Sequence, residues 1–327
     1  MGGYVLKRFL NAILLIFIAS TVGYFLASAT LSPRGNFENL NPPIPKETID
    51  AILNTANAND EVPVTTRYVT WLGGVLRGDL GRDLDGGEVS SEFSRRVWVS
   101  MRLLVLGSLL GTSIGVLTGV VSAVRQYRPF DRGFSIFAYV LLSTPVFLLA
   151  ILLKYGAITF NDAIGTQLLR TQGEYDARVA LAGWSLVASR LQHLILPTLS
   201  IALGSMAFYS RYQRNSMLDV LGSDHLRTAR AKGLTRRQAL FRHGLRVAIS
   251  PMATFFAYSF GLLVAGAAFT ETIYGWYGMG QWFVASIGKN EINSVVLIVS
   301  FTAVLVLISG FIADVTLAIL DPRVRRA

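Results

Sequence analysis

Six stretches of the chain carry no Lys, Arg, Asp or Glu: 9–33, 103–124, 133–153, 191–210, 247–270 and 292–313, each 20 to 25 residues long. About 20 apolar residues at 1.5 Å rise span the ~30 Å of hydrocarbon in a bilayer. The runs are apolar on every face and lack the two-sided alternation of barrel strands. The pattern predicts six transmembrane helices. Lys7 and Arg8 ahead of the first run, and Ala27-Ser28-Ala29 within it, resemble a secretory signal. A signal's apolar core is only ~7–15 residues, however, and this run has 25, so an uncleaved anchor is expected.

The basic residues set the orientation. With the N-terminus inside, segments 1–8, 125–132, 211–246 and 314–327 hold 17 Lys/Arg in 66 residues, against 13 in 127 outside, for net charges of +12 and −2. That asymmetry predicts N-in, C-in. It also accounts for a net charge of +10 without nucleic acid as a partner.

Between the first two runs the chain predicts a small helical insert. Pro42-Pro43-Ile44-Pro45 is an extended entry. Ile49, Ile52 and Leu53 sit at helical spacing in 46–56, and Val64, Tyr68, Trp71, Leu72, Val75 and Leu76 mark a second amphipathic helix. Gly78-Asp79-Leu80-Gly81 breaks it, and Asp85-Gly86-Gly87 is a turn. The insert fits either a surface for a partner or a plug over the helix ends. The segments 154–190 and 271–291 read as loops. In the latter, Tyr274-Gly275-Trp276-Tyr277-Gly278-Met279-Gly280 is broken by glycine, its aromatics suited to interfacial anchoring or to an entrance.

Composition narrows the chemistry. Charged residues are 15% and apolar residues 52% of the 327, against ~25% charged in soluble domains. There is no cysteine, which excludes disulfides and thiolate-held metals, and His193, His225 and His243 are scattered. Gly288-Lys289 is the only Gly-Lys pair and is followed by Asn290, so there is no phosphate-binding loop for ATP. Gly111-Thr112-Ser113-Ile114-Gly115 matches a nucleophile elbow, but lies inside a predicted span with no histidine. Gly107, Gly111, Gly115 and Gly119 instead form a four-residue repeat that lets two helices approach closely. Lys154, near the end of the third run, is expected to snorkel to the outer interface. A charge-poor interior excludes an acidic proton relay and admits neutral or zwitterionic cargo. Ser143, Pro145, Phe147 and Pro197 are candidates for a path or gate, with kinks for packing alone as the other reading.

The loop 211–246 has nine Lys/Arg in 36 residues and clear punctuation. Ser223 is a predicted N-cap, Asp224 favours the positive first turn, and Arg230 and Lys232 the last. Gly233 stops this helix, and Thr235 with Gln238 forms a capping box for the next. So short a helix is marginal alone. With Leu226 and Ala229 as a narrow apolar side, it fits either docking into another protein or lying on anionic lipid.

Arg227-Thr228-Ala229-Arg230-Ala231-Lys232-Gly233-Leu234, followed by His243-Gly244-Leu245-Arg246 and Pro251, resembles the conserved cytoplasmic loop of peptide-type ABC importer permeases. Gly78–Gly81, Ser143-Thr144-Pro145-Val146-Phe147, Glu271-Thr272-Ile273-Tyr274-Gly275 with Gly278-Met279-Gly280, and Asp321-Pro322-Arg323-Val324-Arg325 match in order along the chain. Arg227 stands where the general motif carries Glu. The chain is thus similar to the B-type permease subunits of oligopeptide/dipeptide ABC importers.

The resemblance implies an all-α integral membrane protein of the bacterial cell membrane with the type I importer permease fold. It implies a first span within 1–33, an extracytoplasmic segment 34–97, a permease domain 98–320 and a basic tail 321–327. By it, Asp224, His225, Leu226, Arg227, Thr228, Ala229, Arg230, Ala231, Lys232, Gly233 and Leu234 form the coupling helix that contacts the ATPase. The implied partners are a homologous second permease, two ATPase subunits or one fused chain, a peptide-binding protein and membrane lipid. ATP and Mg2+ sit on the partners; this chain holds no cofactor, no metal and no catalytic residue. The competing function is a self-sufficient channel or secondary carrier.

Overall fold

The computed structural model describes residues 2–38, 40–177 and 182–320. The tail 321–327, with its Asp321-Pro322-Arg323-Val324-Arg325 match, lies outside the described residues. The chain forms two compact units, residues 1–100 with 277–307 and residues 101–276 with 308–327.

In the first unit, α1 (Gly2–Thr30) runs antiparallel to the start of α12 (Ile292–Leu320). A Cβ at Gly23 would lie 3.2 Å from Val299. The insert folds as the pattern predicts, with α2 (Lys46–Thr55) and α3 (Val64–Leu76) each starting behind a proline, Pro45 and Pro63. Their apolar faces close on Tyr24, Leu53, Trp71 and Val296, and the Tyr68 and Thr21 hydroxyls share a 2.7 Å hydrogen bond. After the 78–88 turn, pinned by a bridge between Arg82 and Glu88, α4 (Val89–Val124) begins. It starts well ahead of the apolar run at 103, with Val89, Phe93 and Val97 of this first part packed on α12 and the short helix that precedes it. A short α11 (Met279–Gly288) packs Met279 and Trp282 on Val89 and Ile298.

The second unit corrects the third predicted span. The run 133–153 is not one helix: α5 (Pro129–Ser143) ends in extended backbone at Thr144, and α6 (Val146–Ile164) begins behind Pro145. Proline withholds an N–H and forces the preceding residue out of helical space, so Pro145 divides the run instead of kinking it. The predicted loop 154–190 is correspondingly shorter. Lys154 therefore lies mid-α6, where its ammonium donates to the Ile273 carbonyl at 2.5 Å.

Beyond it, α7 (Gly183–Leu221) runs unbroken through Pro197, and α8 (Asp224–Ala231) and α9 (Arg236–Ala239) follow. One π turn, Leu240–Gly244, leads into α10 (Leu245–Tyr274), which contains the run 247–270. The glycine break after α10 is confined to Gly275, in the left-handed region at φ 58°, and the following residues; Met279 and Gly280 are already helical. Tyr274 and Trp276 are buried, not interfacial. The Tyr274 hydroxyl donates to the Ala150 carbonyl and meets Ser200.

Among the described residues five helices are long and apolar enough to cross a membrane: Leu10–Thr30, Val89–Val124, Val146–Ile164, Gly183–Leu221 and Ile292–Ala313.

Candidate functional site

The linker between α7 and α10 is a packed knot. Leu226 of α8 is buried in one cluster with Met217 and Val220 of α7, Ala239 of α9, Leu240 of the following turn, Ala248 of α10 and Ala123 of α4. A Cβ at Gly244 would lie 3.0 Å from Leu226 Cδ1. The apolar side of α8 is thus consumed inside this chain, which corrects the expectation that it waits for a partner. Its outer face is polar: Asp224, His225, Arg227, Thr228, Arg230, Ala231 and Lys232 are exposed, the Asp224 and Arg227 side chains to 94% and 75%.

Ser223 adopts the extended N-cap conformation, but its hydroxyl donates to the Val220 carbonyl at 2.6 Å. It ties α8 back to α7 and caps no N–H with its side chain. Gly233 ends the helix at φ +91°, a region that favours glycine, and half-buried Leu234 turns back onto the knot. The capping box forms with both of its bonds: Gln238 N–H donates to Thr235 Oγ1 at 3.3 Å, and Thr235 N–H to Gln238 Oε1 at 3.0 Å.

The glycine row meets α7. A Cβ would lie 2.9 Å from Ile201 at Gly107, and 2.5, 2.7 and 2.6 Å from the Ala202, Met206 and Ser210 carbonyl oxygens at Gly111, Gly115 and Gly119. Ser113, in the elbow-like match, is exposed on the opposite face.

Beside this seam lies a cavity of about 260 Å³ lined by Ser108, Thr112, Ile201, Ser205, Tyr209 and Ser259 among others, with Val146 at its wall. The Tyr209 hydroxyl is buried beside the hydroxyls of Thr112 and Ser259. Its lining residues include no ionised group. None of the four sequence candidates lines it: Ser143, Pro145 and Phe147 are exposed at the α5–α6 break, and Pro197 is buried in α7. Ser108 with Thr112, and Ser205 with Tyr209, recur at i, i+4 on their helices, a signal that the glycine repeat overshadowed.

One ion pair escaped the sequence reading. Asp131 is 2% exposed although Arg125, Arg128 and Arg132 around it are all exposed. It pairs with Arg214 of α7, Nε to Oδ1 at 2.7 Å and Nη2 to Oδ2 at 2.8 Å, and accepts the Tyr127 N–H at 2.9 Å. The Arg214 guanidinium holds its carboxyl below the usual carboxylate range. Arg211, one turn earlier, donates to Ser135 at 3.1 Å and to the Tyr139 hydroxyl of α5.

Helices long enough to cross a bilayer, a seam of glycines and a cavity with no ionised group among the described residues describe a multi-pass membrane protein. The family model for "binding-protein-dependent transport system inner membrane component" matches residues 115–326. An oligopeptide transport system permease protein of Mycobacterium tuberculosis (strain ATCC 25618 / H37Rv) is 47% identical over 99% of both chains. Another from Bacillus subtilis (strain 168) is 30% identical over 99% of both. A crystal structure of an amino acid ABC transporter with histidines is 15% identical, covering 73% of this chain and 95% of that one at a TM-score of 0.45. The chain belongs to the binding-protein-dependent transport system inner membrane components, and within them to the peptide ABC permeases.

Proposed function

We propose that this chain is the translocation subunit of an ATP-driven oligopeptide importer, crossing the membrane six times with both termini in the cytoplasm. In this reading 34–97 is extracytoplasmic, 98–320 is the permease domain, and 321–327 is a cytoplasmic tail. The chain pairs with a homologous second permease and receives peptide from an extracytoplasmic binding protein. It is not an enzyme: ATP and Mg2+ sit on ATPase subunits, separate or fused, which grip α8.

The observation that carries the reading is the internal anchoring of α8 by Leu226, with its polar face turned outward. A helix lying in lipid turns its apolar face into the bilayer; here that face is spent on the cluster it shares with α7, α9 and the turn before α10. What remains exposed is a basic surface of Arg227, Arg230, Lys232, Arg236 and Arg237, complementary to an acidic protein groove. A partner that moves α8 must move the inner ends of α4, α7 and α10 with it. The cavity, with hydroxyls able to pair with peptide amides, is this subunit's part of the path, with Ser143, Pro145, Phe147 and Pro197 as further candidates outside it.

The test is purification in mild detergent from the native host. An ATPase and a second permease are expected to copurify, and Arg230→Glu is expected to release the ATPase while the permeases stay inserted. ATP-independent peptide transport by the purified chain alone in liposomes would overturn the proposal in favour of a channel or carrier.

A further inference from the structure

The apolar knot that holds α8 contains no residue of α5. Yet α5 leads directly into the Thr144-Pro145 break and so to Val146 at the cavity wall. Near this end of α7, polar contacts join α5 to it, Asp131 on Arg214 and Ser135 and Tyr139 on Arg211, beyond the apolar packing of Phe134, Ala138 and Leu141 with Met206 and Ala207. Arg214 lies seven residues before the end of α7, roughly 10 Å along the helix, and Met217 and Val220 between them are the residues that hold Leu226.

The pair is built to be rigid. Two of the guanidinium nitrogens, Nε and Nη2, each meet one carboxylate oxygen, a planar two-bond geometry that resists rotation as well as separation. The Tyr127 N–H fixes the carboxylate from a third direction, and the Arg211 guanidinium also stacks 4.2 Å from the Tyr139 ring centre. Arg125, Arg128 and Arg132 are nearer in sequence, so simple charge neutralisation did not require a partner 83 residues away.

We infer that the Asp131–Arg214 pair, backed by Arg211 with Ser135 and Tyr139, is the link that carries displacement of α8 through α7 to α5 and the cavity wall. These are positioning residues: they touch neither peptide nor nucleotide. The inference rests on the proposed role of α8 and adds to it where the motion goes next.

The experiment uses the assembled transporter in proteoliposomes with its binding protein, and reads peptide imported per ATP hydrolysed. Asp131→Asn and Arg214→Gln are each expected to retain the bound ATPase and its hydrolysis while lowering that ratio at least tenfold. Ser135→Ala with Tyr139→Phe, which keeps both charges of the buried pair and removes the 3.5 Å hydrogen bond from Ser135 to Asp131 along with the Arg211 contacts, is expected to lower it two- to fivefold. An unchanged ratio in the assembled complexes overturns the inference, and so does a loss confined to the amount of complex, which a purely structural pair would produce. If the single variants fail to assemble, the Ser135/Tyr139 double variant decides by the same ratio. The role of α8 fails separately, by Arg230→Glu retaining the ATPase.

Discussion

The Lys154 ammonium donates to the carbonyl of Ile273, one residue before the end of α10. The last four carbonyls of a helix lack intrahelical partners and carry the negative end of its dipole. A cation reaching across from α6 satisfies one of them, which explains a lysine in the middle of a largely apolar helix. Tyr274, next along, donates to Ala150 one turn earlier on α6, so α6 and the end of α10 are pinned at two points. Hydrogen bonds to charged groups contribute about 1.5–3 kcal/mol. Lys154→Met is expected to lower stability by about that much, read as a fall in the melting temperature of the detergent-solubilised protein. An unchanged melting temperature would show that the contact contributes nothing.

The glycine seam makes a graded prediction. At Gly107 an added methyl meets the Ile201 side chain, whereas at Gly111, Gly115 and Gly119 it meets backbone carbonyls of α7, and at Gly133 and Gly156 it meets nothing within 4 Å. Side chains shift more readily than helix backbone. Alanine at 111, 115 or 119 is therefore expected to cost about 1–3 kcal/mol, more than Gly107→Ala, with Gly133→Ala and Gly156→Ala unaffected or slightly stabilised. Equal effects at all six positions would refute the seam.

Acid should weaken the Asp131 pair. Its folded-state affinity for protons is depressed by Arg214, so the unfolded chain takes up a proton at higher pH than the folded one. The pair's contribution is complete above the ordinary carboxylate value of about 3.9 and disappears as pH falls through the lower folded value. Melting temperature is expected to drop steeply below about pH 4. Asp131→Asn should start lower at neutral pH and show a shallower acid slope; superimposable acid profiles would contradict this assignment.

For the linker, Leu226→Ala removes the buried anchor of α8 and is expected to cost about 2–5 kcal/mol of local stability. Thr235→Ala removes the capping bond and is expected to cost about 1 kcal/mol. Hydrogen exchange of the 224–244 amides should rise sharply in the first variant and mildly in the second. Protection unchanged in Leu226→Ala would mean that the knot does not hold the helix.

Features that depend on neighbours in the chain were legible beforehand. The apolar runs, the punctuation at Gly233, the Thr235–Gln238 box and the α2–α3 insert all follow from a few consecutive residues, as does the four-residue glycine spacing. The Pro145 break was visible as a proline, but whether it kinks or divides a helix depends on what packs around it. Pairings were not legible. Asp131 stood among arginines that would each have served as well, and nothing local pointed to Arg214.

What the sequence by itself determined about this protein was therefore its solvent and its punctuation: which stretches are free of charge, where short helices start and stop, and which residues match a peptide-permease pattern. Only the tertiary structure decided which faces meet. It placed the glycine row on α7, turned Leu226 inward, brought Lys154 to the end of α10, and gathered the hydroxyls of three helices around one cavity. The physical reason is that helices in lipid are apolar all round, so hydrophobic periodicity no longer marks the buried face. Close packing and a few polar contacts between distant segments make that choice instead.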